Sequence, residues 1–357
     1  MRKVLWIVVA FGVVSLLWLA LARRDEPTPP ETDRPKVPEA PAKAPPAGEQ
    51  SAPSVSVAKD SRLKVPSPSL AALPAAKPPH VELPLIELPP GVSAGIRLIV
   101  GLTSQKDYTV RAAAVHSLGM RLSRVDMEGL YAFLKSRVAN HPDLDVLSLG
   151  ALKNDALQVL IAQDTLPPDL LQTILDMYRD PALDVTWRDY CLQHVAVYYE
   201  RRWRPQDVSR LDDPDRQAVM KLYEEALASR VDGMEGTAMI GLVRLSERYP
   251  EIDRAGISVR ALEAAQDEHR DPATRVTAMG ICGLMGKAEA LPAARILAQT
   301  GENTALRLAS IGTIGLIGTA DDLDLMQSLA AGSDVVVRKA AQAAVTRIQS
   351  RTQKAER

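Results

Sequence analysis

One phrase recurs along this chain, and it constrains the fold more than any other feature. An acidic or Asn residue is followed four positions on by a basic residue, then by small residues and by an apolar residue a further seven on. Asp107 leads to Arg111 and Leu118, Asp184 to Arg188 and Val195, Asp271 to Arg275 and Cys282, Asn303 to Arg307 and Ile314, and Asp334 to Arg338 and Val345. Two degenerate copies lie between, one with Lys153 leading to Leu160 and one with Gly236 leading to Val243. A second amphipathic segment precedes each copy, as at Leu130 to Val138, Leu170 to Tyr178, Val219 to Ala228 and Leu323 to Leu329. The unit is therefore a helix–turn–helix of roughly 30 to 48 residues. The pattern predicts an all-α fold of about seven helix pairs.

Within each phrase the helical period assigns faces. Counting the basic residue as zero, positions −1, +3 and +7 share one side of the helix. They read Val110/Ala114/Leu118, Leu306/Ser310/Ile314 and Val337/Ala341/Val345. A small residue at +3 lets neighbouring helices approach. The acidic residue at −4 is placed to cap the helix start, and to pair with a basic residue of an adjacent repeat.

The segment from Gly283 through Gly286 to Pro292, followed by Arg307-Leu308-Ala309-Ser310 and Gly315-Leu316-Ile317-Gly318, resembles the HEAT-like repeats named after phycobilisome lyases. The likeness is specific over residues 270 to 348 and loosens toward residue 93. It implies an α-solenoid and no catalytic residue, because repeats of this kind serve scaffolds, adaptors and a few enzymes alike.

The N-terminus is of another kind. Arg2 and Lys3 precede an uncharged run from Val4 to Ala22, closed by Arg23 and Arg24. Nineteen helical residues rise about 28 Å, close to the ~30 Å hydrocarbon core of a bilayer. Residues 1–24 thus read as a transmembrane anchor. A cleaved signal peptide is the rival, since Ala20-Leu21-Ala22 has the small-x-small form of a cleavage site. An anchor of reversed orientation is a third reading, since both flanks are basic. Residues 25–92 hold 17 of the 26 prolines and no Cys, Trp, Tyr or Phe, the composition of a disordered Pro/Ala-rich linker. Within it, residues 80 to 88 are richer in aliphatics and suit either an extended cover on the first helices or a loose run-in to them. The solenoid is expected over 93–350, with a polar tail at 351–357.

Charge argues against nucleic acid: residues 93 to 357 carry 32 Lys+Arg against 35 Asp+Glu, without the basic excess such a partner calls for. The two cysteines, Cys191 and Cys282, are expected as free buried thiols rather than a disulfide framework. Cys191 and His194 stand three apart on one helix, but no second pair completes a tetrahedral metal site. Nucleophile elbows and phosphate loops are absent from the sequence. We therefore expect no catalytic residue, no cofactor and no metal.

Two candidate surfaces for a protein partner remain. Tyr198, Tyr199, Arg201, Arg202, Trp203 and Arg204 combine the residue types enriched at interface hot spots, just before the longest inter-repeat insertion. Equally, the aromatics suit a core at a repeat irregularity. Positions +1 and +5 of the second helices should face outward. In the middle repeats they are Asn154, Gln158, Asp189 and Gln193, suited to gripping an extended backbone; in the C-terminal repeats they are Val276, Gly280, Leu308 and Gly312, apolar or bare. The expected function is a membrane-tethered extracytoplasmic (periplasmic) scaffold or adaptor for a protein of unknown identity. The alternatives are an enzyme or enzyme subunit, lyase-like or glycosylase-like, and a scaffold facing the cytoplasm.

Overall fold

The computed structural model describes residues 86–104, 107–207, 211–301 and 303–355. The expected anchor at 1–24 and nearly all of the linker lie outside the described residues. Among the described residues no helix is long and apolar enough to cross a membrane.

Within the described residues fourteen α-helices follow in pairs: α1 Ala94–Val100 and α2 Tyr108–His116; α3 Arg124–Lys135 and α4 Val146–Ala162; α5 Leu170–Arg179 and α6 Val185–Arg202; α7 Pro214–Leu227 and α8 Met234–Ser246; α9 Arg254–Gln266 and α10 Pro272–Leu284; α11 Leu291–Thr300 and α12 Thr304–Ile317; α13 Leu323–Ala330 and α14 Val335–Ala355. Each copy of the recurring phrase lies in the second helix of a pair. Those second helices pack in series, α2 on α4, α4 on α6 and so on to α14, while each first helix rests mainly on its own partner. No strand occurs among the described residues. The arrangement is consistent with an α-solenoid.

The helix starts follow from the sequence. Side chains of Asp107, Asp184, Asp271, Asn303 and Asp334 accept hydrogen bonds from the first free backbone N–H groups of α2, α6, α10, α12 and α14. Each satisfies a donor that the helix cannot, worth typically ~1 kcal/mol. Asp271 also accepts from Gly233 N at 3.1 Å, tying α10 to the start of α8.

The basic residue at position zero has a different partner from the one expected. In four copies it caps the C-terminal carbonyls of its own first helix rather than pairing with an acidic residue of the phrase, whereas Arg275 Nε is buried without a hydrogen-bond partner among the described residues. Arg111 Nε donates to Ile99 O at 2.9 Å, Arg188 Nε to Tyr178 O at 2.7 Å and Arg307 Nε to Ala298 O at 2.8 Å. Lys153 Nζ donates to Ser136 O in the same way. The long side chain reaches back across the turn to carbonyls that end unsatisfied, where a cation is favoured. A cap from one second helix to the previous one occurs twice, in the third pair and in the last: Arg201 donates to Ile161 O and Gln163 O, and Arg351 to Gly315 O and Gly318 O. The latter ties the last turns of α14, which runs to Ala355 and so into the expected polar tail, to α12. Arg351 on its last turns is a structural contact.

At the N-terminal end, Val92 is buried, and Ile86 and Leu88 pack against the core. The linker's last residues thus belong to the fold, because Val92 and Leu88 fill the space above Gly129. Residues 80 to 85 of the same expected cover lie outside the described residues.

Candidate binding surface

The aromatic segment at the end of α6 is core. Tyr198, Tyr199 and Trp203 are each no more than 2% exposed and present no side-chain surface to a partner. Tyr199 donates from its hydroxyl to Glu251 Oε1 at 2.9 Å and accepts from Arg216 Nε, while Arg216 pairs with Glu251. Trp203 Nε1 donates to Asp213 Oδ2 at 3.3 Å, and Tyr249 donates to the Trp203 carbonyl at 2.8 Å. The rings of Tyr199 and Trp203 lie 4.8 Å apart, and Arg216 sits 5.2 Å from the Tyr199 ring. This knot joins α6, α7 and the turn after α8 where the repeat spacing is longest. Bulk and buried hydrogen bonds there replace the regular contact between helices. Arg201, Arg202 and Arg204 stay exposed. Arg201 is committed to capping α4, and Arg202 lies 5.8 Å from the Trp203 ring.

The polar residues of the middle second helices are used partly against one another. Asn154 Oδ1 lies 2.9 Å from His194 Nε2, linking α4 to α6. Gln193 donates to Asp189 at 2.7 Å on α6, and desolvation pushes the Asp189 carboxyl above its ordinary range. Of the four expected contact residues, Gln158 is exposed and Asn154, Asp189 and Gln193 are half-buried. The same row continues with His116 and Asp155 between α2 and α4, and with the bidentate pair of Arg244 and Glu200 between α8 and α6. His194 is 6% exposed and its pKa is lowered to about 4, chiefly by desolvation. Its neighbour Cys191 is wholly buried, and burial pushes the thiol pKa up. In the C-terminal repeats Val276 is buried, while Gly280, Leu308 and Gly312 are half-buried.

One site escaped the sequence reading. A cavity of about 290 Å³ opens between the turn after α3, the start of α4, the turn before α6 and the first turn of α6. Lys153 and Trp187 line it, 3% and 2% exposed. Lys153 Nζ lies 5.4 Å from the Trp187 ring centre. Desolvation lowers the Lys153 pKa to about 8. The Trp187 Nε1 donor has no acceptor among the described residues. Behind the cavity, Arg111 donates to His141 Nδ1 and to Asp143, His141 Nε2 lies 2.8 Å from Ser136 Oγ, and that hydroxyl donates to Phe133 O. This order assigns His141 as the neutral Nε2–H tautomer. Its pKa, lowered to about 4 by desolvation and by Arg111 and Lys153, agrees. A signal was present in the sequence: among the seven basic positions, 153 alone holds lysine.

Residues 259–346, from α9 into α14, match the family model described as HEAT repeats. Together with the all-helical stack, this supports a HEAT-repeat protein. The match falls where the helices approach most closely over small residues. A Cβ on Gly283 would stand 3.1 Å from Thr313 Cα, and one on Gly315 would stand 3.1 Å from Ala344 Cα. In the comparison with curated proteins nothing matches the chain.

Proposed function

We propose that the chain is a membrane-tethered scaffold that binds a protein partner through its HEAT-repeat array on the extracytoplasmic side, and that it binds rather than catalyses. The observation that carries the first part is the continuous row of second helices, a layer from α2 to α14 with side chains such as Gln158 left exposed. HEAT repeats in general are protein-interaction scaffolds, and the array offers a long surface of the kind that stacked repeats provide. The tether rests on the uncharged run from Val4 to Ala22 with its basic flanks. With Tyr198, Tyr199 and Trp203 in the core, the contact surface is reduced to Arg202, Arg204 and the row of Asn154, Gln158, Asp189 and Gln193. The likeness of residues 270–348 to phycobilisome-lyase repeats adds a repeat type to this reading and no lyase chemistry.

Two measurements test it together. Protease accessibility of a C-terminal tag in intact and opened cells reports the side of the membrane. Crosslinking capture on the full chain, against one carrying Gln158→Glu and Gln193→Glu, reports the surface. Digestion only after the outer barrier is opened, with a captured protein lost from the variant, is the expected result. A tag protected until the inner membrane is broken would overturn the extracytoplasmic side. Capture unchanged by the two substitutions would overturn the surface.

A further inference from the structure

We propose that the cavity between α4 and α6 is a binding site for a carboxylate bearing a short branched aliphatic group, with Lys153 and Trp187 as its polar contacts. The reading does not depend on a protein partner and goes beyond the scaffold function.

The argument is one of unmatched donors. A lysine ammonium has three N–H donors and no acceptor. Ser136 O takes one of them. Lys153 makes no ion pair within 4 Å among the described residues; Asp184 at the cavity wall acts on it only at longer range, its Oδ1 accepting from Thr186 N and Trp187 N. The indole N–H of Trp187 adds a further donor with no acceptor. A buried cation with only a distant counter-charge, beside a second unmatched donor, is a costly arrangement for a fold to keep. One planar group with two acceptor oxygens and one negative charge satisfies both donors. Val138, Val146, Leu149 and Leu183 give the wall an apolar side, with Ser136 and Asp184 as its further polar residues. The volume of about 290 Å³ is near the ~300 Å³ lower bound for small-ligand sites. Val146 is 42% exposed and leaves a mouth to solvent, with Arg137 exposed at its rim.

The repeat pattern supplies the contrast. Arg111, Arg188 and Arg307 occupy the same position and make the same backbone cap. A lysine suffices for the cap, so the cap alone does not account for the cavity beside it. An arginine at 153 would keep the charge and the cap while placing its guanidinium where the ligand sits.

The test uses the full-length chain in nonionic detergent with ¹⁵N-indole tryptophan, the Trp187 signal being identified by its loss in Trp187→Phe. Four probes are titrated: 4-methylpentanoate, 4-methylpentanamide, N-acetyl-glycyl-leucine and its C-terminal amide. Movement of the Trp187 signal by the two acids, with the amides at least ~10-fold weaker, is expected. Tighter binding of the free acid identifies a small carboxylic acid as the source; tighter binding of the dipeptide identifies a peptide C-terminus. Lys153→Met abolishes binding, and Lys153→Arg weakens it at least ~10-fold without lowering the melting temperature. The proposal is overturned if the signal is unmoved by all four probes at ~10 mM, the result expected of a water-filled cavity. It is equally overturned if amides bind as well as acids, or if Lys153→Arg binds like the parent.

Discussion

The four N-terminal helix pairs and the three C-terminal pairs share one repeat plan, but different physics holds them together. From α1 to α8 the core contains Phe133, Tyr178, Trp187, Tyr198, Tyr199, Trp203 and Tyr223, with Tyr249 just beyond; after Tyr249 the sequence has no aromatic residue at all. The N-terminal pairs bury charge and imidazole, as at Arg111, Lys153, His141, His194 and Arg216. In the C-terminal pairs Gly283 and Gly315 let second helices approach to backbone contact, and Thr313 Oγ1 donates to Met279 O at 2.7 Å across the gap. Glu235 stands between the two styles, bonded from α8 to Arg260 on α9 and to Arg270 in the turn before α10. The recognised HEAT segment coincides with the small-residue style. The pairs held by large side chains lie outside it, where each bulky residue needs its own complement.

The difference can be broken at its extremes. Trp203→Ala should cost about 4 kcal/mol, from lost burial, the cavity left and the knot around Arg216 undone. Urea unfolding measures it; a loss below about 1 kcal/mol would mean the aromatics do not hold the N-terminal pairs together. Gly283→Val should cost about 3 kcal/mol, since its Cβ meets the α12 backbone at Thr313 Cα, as well as Thr313 Oγ1 and Leu316 Cδ1, each at 3.1 Å. Hydrogen exchange should show the loss centred on α10 and α12.

Acid should separate the halves. His141 and His194 have folded pKa values near 4 against an ordinary 6.5, so between these values the unfolded chain binds more protons. Stability is therefore lost as pH falls from about 6.5 to 4, by at most about 3.5 kcal/mol per histidine at ~1.4 kcal/mol per pKa unit. Amide exchange in α2 to α6 should rise over that window while α10 to α14 stay protected, and equal loosening of both would contradict the comparison. Lys153 works in the opposite sense. Its folded pKa of about 8 lies below 10.5, so the buried cation costs stability below pH 8 and the cost is relieved as pH rises toward 10.5. Lys153→Met should thus stabilise by roughly 1–3 kcal/mol at pH 7, less the lost cap and indole contact, with the benefit gone by about pH 10.5. The smallest effect is Gly280→Ala. Its Cβ meets nothing within 4 Å, so helix propensity alone should raise stability by about 0.5–1 kcal/mol, in contrast to Gly283 three residues on.

How much was legible follows from the range of each interaction. The basic positions at 111, 153, 188, 236, 275, 307 and 338 all lie in second helices, and the acidic caps are as expected, because a 3.6-residue period and a cap act within a few residues of chain. The partner of the basic residue was misjudged, since a carbonyl ending the preceding helix has no sequence signature. The aromatic run of Tyr198 to Trp203 left both a surface and a core open, and its fate turned on Arg216, Tyr249 and Glu251, up to 52 residues away. Asn154 looked free until α6 placed His194 beside it. By itself, then, the sequence determined the helix pairs, their register and their caps, all local consequences of spacing and residue type. Only the tertiary structure decided which polar groups were spent between helices and which were left facing a cavity. Such pairings depend on how neighbouring repeats approach, and that is settled by side-chain volume across the stack rather than by the pattern along one helix.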